Sequence, residues 1–409
     1  MPRHAPLYEW TARVATLFPH LPAAHARSLA EWSYGMAVAH AVQLTAVVVH
    51  LAALLGQQVN TVRQRLRELF QPGERKAGGR RTTFDPHACC RPLVRWVTAD
   101  WTDQRVALAL DASNLGDRFT VLAAAVVYRG VGIPVAWRVL PGGHPGESWN
   151  DIWVELVTRV MAALGDGWRV FVLTDRGLES AALFRDLVTA GGHPLMRVKA
   201  GGRFRPRGWG RWRPMGQFAA REGDRFAARG VAYPSAKEPL ECTLLACRVA
   251  GCADPWLILT DLPPGAADPC WYAFRSWIEQ GFRLIKRGGW QWQRTRMSDP
   301  PRVERVWAAV AVATVWVVEV GGLGEHEERA ETIPPVPPAG GPPKGARPPN
   351  RPGSPRPHRV FVRGLAAVMA GLMAGQVKTG TFIPEPWPDV VPIPDITEAE
   401  FEAREQTYP

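Results

Sequence analysis

Two acids close apolar runs: Asp111 follows Val106–Leu110, and Asp175 follows Val170–Thr174. An ionised carboxylate beside a buried strand is costly unless a cation or hydrogen bonds compensate it. Two such strands lying side by side would present both acids to one metal ion. Taken singly, an aspartate at a strand end is more often a turn or helix cap than a ligand. A third acid, Glu279, lies within Tyr272–Lys286. On a helix advancing about 100° per residue, Tyr272, Arg275, Glu279 and Lys286 fall within an arc of roughly 60°. Phe274, Ile278, Phe282 and Ile285 occupy the neighbouring arc and supply a packing surface. One acid among two cations and a phenol suits phosphoryl transfer, with Glu279 completing a metal site and Arg275 and Lys286 holding phosphates. The plainer reading is a surface helix carrying an Arg275–Glu279 ion pair at i, i+4, worth only a few tenths of a kcal/mol.

The elements that must position these acids read as α/β. Arg105–Asp111, Phe119–Tyr128 and Ile133–Leu140 are apolar strands in a meander, with Arg129, Gly130 and Gly132 supplying the turn between the last two. Ser148–Leu164 reads as a helix, Arg169–Thr174 as a buried strand, Leu178–Thr189 as a helix and Pro194–Lys199 as a fifth strand. From 200 to about 250 the pattern changes to Arg, Gly and Trp without a helical period, an insertion followed by the strand Trp256–Thr260. Helices resume over about 267–287 and 301–320. Pro, Gly and Arg dominate 321–358, a composition that cannot bury a core. A short helix near Val362–Val377 and a Pro-rich acidic tail follow.

A chain of 409 residues has room for two or three domains, and its formal charge of +11 favours a polyanionic partner. Nucleic acid leads, because Lys and Arg on phosphates release condensed counterions. Residues Ala23–Phe70 are helical in pattern and end as an apolar helix, a turn at Gly56 and a basic amphipathic helix. That is the layout of a helix-turn-helix, with Asn60 or Thr61 as cap and Arg63, Arg65 and Arg67 directed at phosphates or base edges. An ordinary helical hairpin with a solvated Arg face is the alternative. Gln71–Thr83 reads as a basic flexible linker. Arg203, Arg205, Arg207, Arg211 and Arg213, interleaved with Trp209 and Trp212, form a second basic and aromatic stretch able to grip a DNA backbone. Six cysteines lack CxxC spacing, so reduced thiols are expected rather than a zinc site with His193. The apolar run Val306–Val320 falls short of the ~20 residues that cross a bilayer. It reads as a buried helix, and no membrane partner is expected.

The spacing of Tyr272, Arg275, Glu279 and Lys286 (Tyr, two residues, Arg, three, Glu, six, Lys) resembles the signature of bacterial cut-and-paste transposases of the insertion-sequence-four type. Leu110–Ser113 and Thr174–Arg176 resemble that family's two aspartate motifs, and the likeness covers about 105–320. It implies an α/β fold: a ribonuclease-H-like catalytic core, a mixed five-stranded sheet with helices, interrupted by a β-rich insertion, plus an N-terminal all-helical domain. The expected divisions are a helical DNA-binding domain with its linker (1–83), the two parts of the core (84–199 and 265–320) around the insertion (200–264), a disordered linker (321–358), and a C-terminal helix and tail (359–409). The resemblance further implies that Asp111, Asp175 and Glu279 are catalytic and hold two Mg²⁺ ions, with Mn²⁺ as a substitute, while Tyr272, Arg275 and Lys286 orient the DNA strand. Trp256 matches a strand on which some relatives carry a tryptophan that stacks on a flipped base; a core tryptophan is the alternative. The implied partners are double-stranded DNA, namely transposon terminal inverted repeats and target DNA, and a second copy of the chain on paired ends. A cytoplasmic, nucleoid-associated location follows from the same likeness. Two other readings stay open: a ribonuclease-H-like nuclease without strand transfer, and a domesticated sequence-specific DNA-binding protein.

Overall fold

In the computed structural model, the residues described are 4–76, 82–143, 149–235, 238–249, 252, 254–329 and 359–406. Four helices open the chain: α1 (Ala5–Leu17), α2 (Ala23–Ala39), α3 (Leu44–Leu55) and α4 (Val59–Phe70). After α5 (Cys90–Thr98) come β1 (Arg105–Leu115), β2 (Phe119–Tyr128) and β3 (Val131–Pro141), an antiparallel meander. Every position of β2 is buried, which is why its sequence is a continuous apolar run rather than an alternating one. Helix α6 (Trp149–Leu164) leads to β4 (Arg169–Thr174), parallel to β1, and α7 (Ala181–Thr189) leads to β5 (His193–Arg197), parallel to β4. The side chain of Ser180 caps α7 by accepting from the Leu183 N–H.

The stretch expected as an insertion contributes β6 (Arg203–Pro206), β7 (Arg213–Pro214), β8 (Arg225–Ala232), β9 (Leu240–Cys247) and β10 (Trp256–Thr260). These strands extend the sheet of β1–β5 instead of forming one of their own. β10 pairs antiparallel with β5, giving one mixed sheet of ten strands in the order β3-β2-β1-β4-β5-β10-β9-β8-β6-β7. The sheet thus has ten strands where five were expected. Without β10, β5 would present an open edge of unpaired N–H and C=O groups, and the insertion satisfies it.

The stretch expected as one helix over 267–287 has three geometries in succession. A 3-10 turn covers Pro269–Arg275, α8 covers Ser276–Arg283, and a π turn covers Leu284–Gly288. Then α9 runs from Pro300–Arg329, past the end expected at 320. Its first part is apolar and long enough to cross a bilayer by composition, yet 89% of its most apolar window is buried inside the protein. Gly321, expected to begin a linker, is instead where α9 meets α10 (Arg359–Met373): a Cβ at Gly321 would lie 1.9 Å from the Val360 carbonyl oxygen. Residues 330–358 of the expected linker, and 77–81 of the one before α5, lie outside the described residues.

The N-terminal helices share a core with α9. Trp10 stacks on Trp316 with ring centroids 4.0 Å apart, and Arg305 donates to the Phe70 carbonyl at 2.8 Å. Glu319, the acid that interrupts the apolar run, is buried and accepts from Arg13 of α1 at 2.7 Å and from Trp96 Nε1 of α5 at 3.0 Å. At the other end, α11 (Glu398–Gln406) docks on the insertion, its Phe401 packed against Trp209 and Phe218 and its Glu402 paired with Arg213.

Candidate active site

The parallel ladder between β1 and β4 ends at Ala109↔Leu173, and two residues further along each chain stand Asp111 and Asp175. Register alone therefore sets the two acids beside each other. β1 does not stop at Asp111 as expected: it runs to Leu115, because its ladder with β2 continues to Leu115↔Phe119 after β4 has ended. Asp111 Oδ1 accepts the Ala112 N–H at 2.9 Å, and Asp175 Oδ1 accepts the Gly177 N–H at 2.9 Å. Asp175 thus caps the 3-10 turn Arg176–Leu178 with one oxygen while its other faces the site.

Arg275 joins the three acids. Its Nη2 lies 3.1 Å from Asp111 Oδ1 and 3.2 Å from Asp175 Oδ2, and its Nη1 lies 3.1 Å from Glu279 Oε1. The guanidinium is buried, with the Arg275 side chain 4% exposed, whereas the side chains of Asp175 and Glu279 are 44% and 56% exposed. The cleft is therefore floored by the cation and open on the side of two of its acids. Burial pushes the Asp111 carboxyl up to about 6; Arg275 opposes that rise, and Asp175 and Glu279 add to it. Burial works against the Arg275 charge, but the surrounding acids outweigh it and raise its pKa. Among the described residues, no three His, Cys, Asp or Glu side chains are arranged to hold a metal ion. The guanidinium fills the centre instead. In donor chemistry the set fits a hard divalent ion, since it offers only carboxylate oxygens.

The remaining candidates are spread more widely. Tyr272 is 3% exposed, meets Trp256 edge-on at 6.0 Å and lies beneath the Arg197 guanidinium at 5.7 Å. Burial pushes its phenol up to about 12. Tyr272 sits in the 3-10 turn rather than in α8, so the shared arc drawn for a single helix does not extend to it. Trp256 is 2% exposed within β10, where it packs as a core ring. Lys286 is half-buried on the π turn; burial lowers its pKa, and the nearby charge of Asp111 counters that. It lines, with Arg283 and Arg287, a groove of about 510 Å³.

In the N-terminal pair α3 and α4, Gly56 adopts φ 61° and makes the turn. Neither Asn60 nor Thr61 is the cap: α4 begins after Gln58, which makes no side-chain cap bond, and both expected residues lie in the first turn. Arg63 donates to Asn60 at 3.2 Å, Arg65 to the buried Glu31 at 2.6 Å, and Arg67 is exposed. Of the basic stretch in the insertion, Arg205 lies over Trp212 at 5.0 Å and Arg211 pairs with Glu402 at 3.3 Å. His193 meets Asp261 at 2.9 Å, and all six cysteines are free thiols.

Sequence reasoning found the Arg275–Glu279 pair from its i, i+4 spacing and missed the bonds from Arg275 to Asp111 and Asp175. Nothing local signals a partner 100 residues away. It missed Arg197 of β5 as well, whose guanidinium lies over Tyr272.

No curated protein matches the chain. A family model described as a transposase DDE domain matches residues 100–316, a span that begins before β1, ends within α9 and holds Asp111, Asp175, Arg275 and Glu279. With more than half of its length in that match, the chain belongs to the family of transposases with a DDE domain.

Proposed function

We propose that the chain is a DNA transposase of the insertion-sequence-four type, which binds the terminal inverted repeats of an insertion sequence and cleaves and rejoins DNA at Asp111, Asp175 and Glu279. The observation that carries this reading is the convergence of those three acids, from β1, the end of β4 and α8, on one buried guanidinium. On this reading β1–β5 with their helices are the ribonuclease-H-like core, and residues 200–264 are the insertion. The N-terminal helices and the groove lined by Arg283, Lys286 and Arg287 are the DNA-contacting parts. The net charge of +11 supports a polyanionic substrate. A homodimer on paired ends belongs to the same proposal.

Asp111, Asp175 and Glu279 would hold two Mg²⁺ ions, or Mn²⁺ in their place. Bound there, such ions supply an activated nucleophile and charge stabilisation for the leaving oxygen. The chain's own contribution is positional. The register of β1 and β4 fixes two acids, α8 brings the third, and Lys286 and Arg275 would supply cations to the scissile phosphate. A duplex carrying the terminal inverted repeats that this reading requires would be the DNA for a test. Asp111→Asn is expected to bind these ends and to leave them uncut in Mg²⁺, where the unaltered protein cuts them and joins them to a target. Cleavage by Asp111→Asn at the unaltered rate would sink the assignment, and cutting without joining by the unaltered protein would point to a nuclease.

A further inference from the structure

We infer that Arg275 is an internal counter-cation which competes with divalent metal for the same three carboxylates and gives way when a DNA phosphate draws its guanidinium aside. Metal and DNA then bind with positive coupling. This rests on the reading of Asp111, Asp175 and Glu279 as metal ligands.

The geometry points to this competition. The two Nη atoms of Arg275 are 3.1 to 3.2 Å from one oxygen of each acid, so a single planar cation sits between all three. With that group in place, the described residues contain no triad of acids arranged to hold an ion. A small divalent cation needs oxygens at about 2.0–2.1 Å, and one oxygen of each acid is held by the guanidinium. Three carboxylates against one guanidinium leave an excess of negative charge for which a divalent ion is the stronger neutraliser. Among the described residues its buried Nε has no hydrogen-bond partner, so the guanidinium is held by its ends. Arginine also recognises phosphate by paired hydrogen bonds, so it has an alternative partner of equal kind. Cations for a phosphate backbone are to hand: Arg283, Lys286 and Arg287 line a groove of about 510 Å³, and of these Lys286 is close enough to Asp111 to feel its charge.

The test is Mn²⁺ binding to the full chain, read by the paramagnetic resonance of free Mn²⁺, with and without a short mixed-sequence duplex. Without DNA, Arg275→Gln is expected to bind Mn²⁺ roughly tenfold or more tightly than the unaltered protein, because a unit charge a few ångströms from the ion has been removed. Duplex should tighten Mn²⁺ binding to the unaltered protein and change it little in Arg275→Gln. Equal or weaker binding by Arg275→Gln, with Asp111→Asn still weakening it, would overturn the competition and leave the acids as ligands. If Asp111→Asn, Asp175→Asn and Glu279→Gln all bind Mn²⁺ as the unaltered protein does, the metal site itself fails. Thermal unfolding guards against a misfolded variant: Arg275→Gln should melt lower without metal and regain stability in Mn²⁺. Arg275→Lys, which keeps the charge and cannot span three acids, should fall between the two in affinity. Absence of any Mn²⁺-dependent recovery of the melting temperature in Arg275→Gln also counts against the proposal.

Discussion

Gly281 and Gly132 touch backbone to backbone: a Cβ at Gly281 would lie 2.3 Å from the Gly132 carbonyl oxygen, and one at Gly132 would lie 2.6 Å from the Cα of Ile278. This contact sets how closely α8 approaches β3, and so where Glu279, two residues before Gly281, stands relative to Asp111. Gly281→Ala must push the helix off the sheet. The expected cost is about 1–3 kcal/mol, as for other overpacked sites, read from the denaturant midpoint. Cleavage should suffer more than stability, because a displacement of about 1 Å at a catalytic group can cost ~10²-fold. Unchanged midpoint and rate would show that α8 can shift without moving the acid.

Among the described residues Lys286 makes no ion pair, and it lines an open groove. Lys286→Ala is expected to weaken duplex binding and to reduce the slope of log affinity against log salt by about one, the release of one counterion fewer. Fluorescence anisotropy across a salt series measures both. A weaker affinity with an unchanged salt slope would place the lysine in a structural role instead of on a phosphate.

How much of this was legible in the sequence depended on whether the signal was local. The bounds of β2, β4 and β10 could be read directly, because each is a continuous apolar run closed by a turn. The side-by-side placement of Asp111 and Asp175 was foreseeable from two similar runs. That β10 would join β5 was not, since periodicity reports which face of a strand is buried and is silent on its partner. Gly132 read as a turn glycine and Gly321 as the start of a linker. Both are contact glycines, and what they contact lies far along the chain. The first helix, α1, was passed over although Leu7, Trp10 and Val14 have helical spacing; these residues are buried by α2 and α9, outside their own segment.

Trp256 separates packing from base stacking. Its ring is 2% exposed and edge-on to Tyr272, so Trp256→Ala should cost about 3–5 kcal/mol in unfolding free energy, the usual loss for a buried aromatic. Trp256→Phe preserves most of the packing. If the ring serves the core alone, this variant should cut end DNA at close to the unaltered rate. A large loss of cleavage in Trp256→Phe with stability retained would instead assign the ring to a flipped base.

His87 makes stability depend on pH in a defined direction. Its Nε2 lies 3.3 Å from Arg138 Nη1 and can accept from it only while unprotonated. Burial lowers its pKa to about 4, Arg159 and Arg138 add to that, and Asp85 and Glu155 oppose it. Glu304, whose Oε1 is 3.7 Å from the ring, is too weak a partner to reverse the balance. The unfolded ring protonates near 6.5, so between that value and about 4 the unfolded state binds the extra proton. The contribution is therefore fully present above pH 6.5 and is lost as the pH falls toward 4. Urea unfolding at a series of pH values should show this slope in the unaltered protein and a shallower one in His87→Gln, which keeps a neutral acceptor and cannot titrate. Parallel slopes for the two proteins would assign the acid sensitivity to other groups.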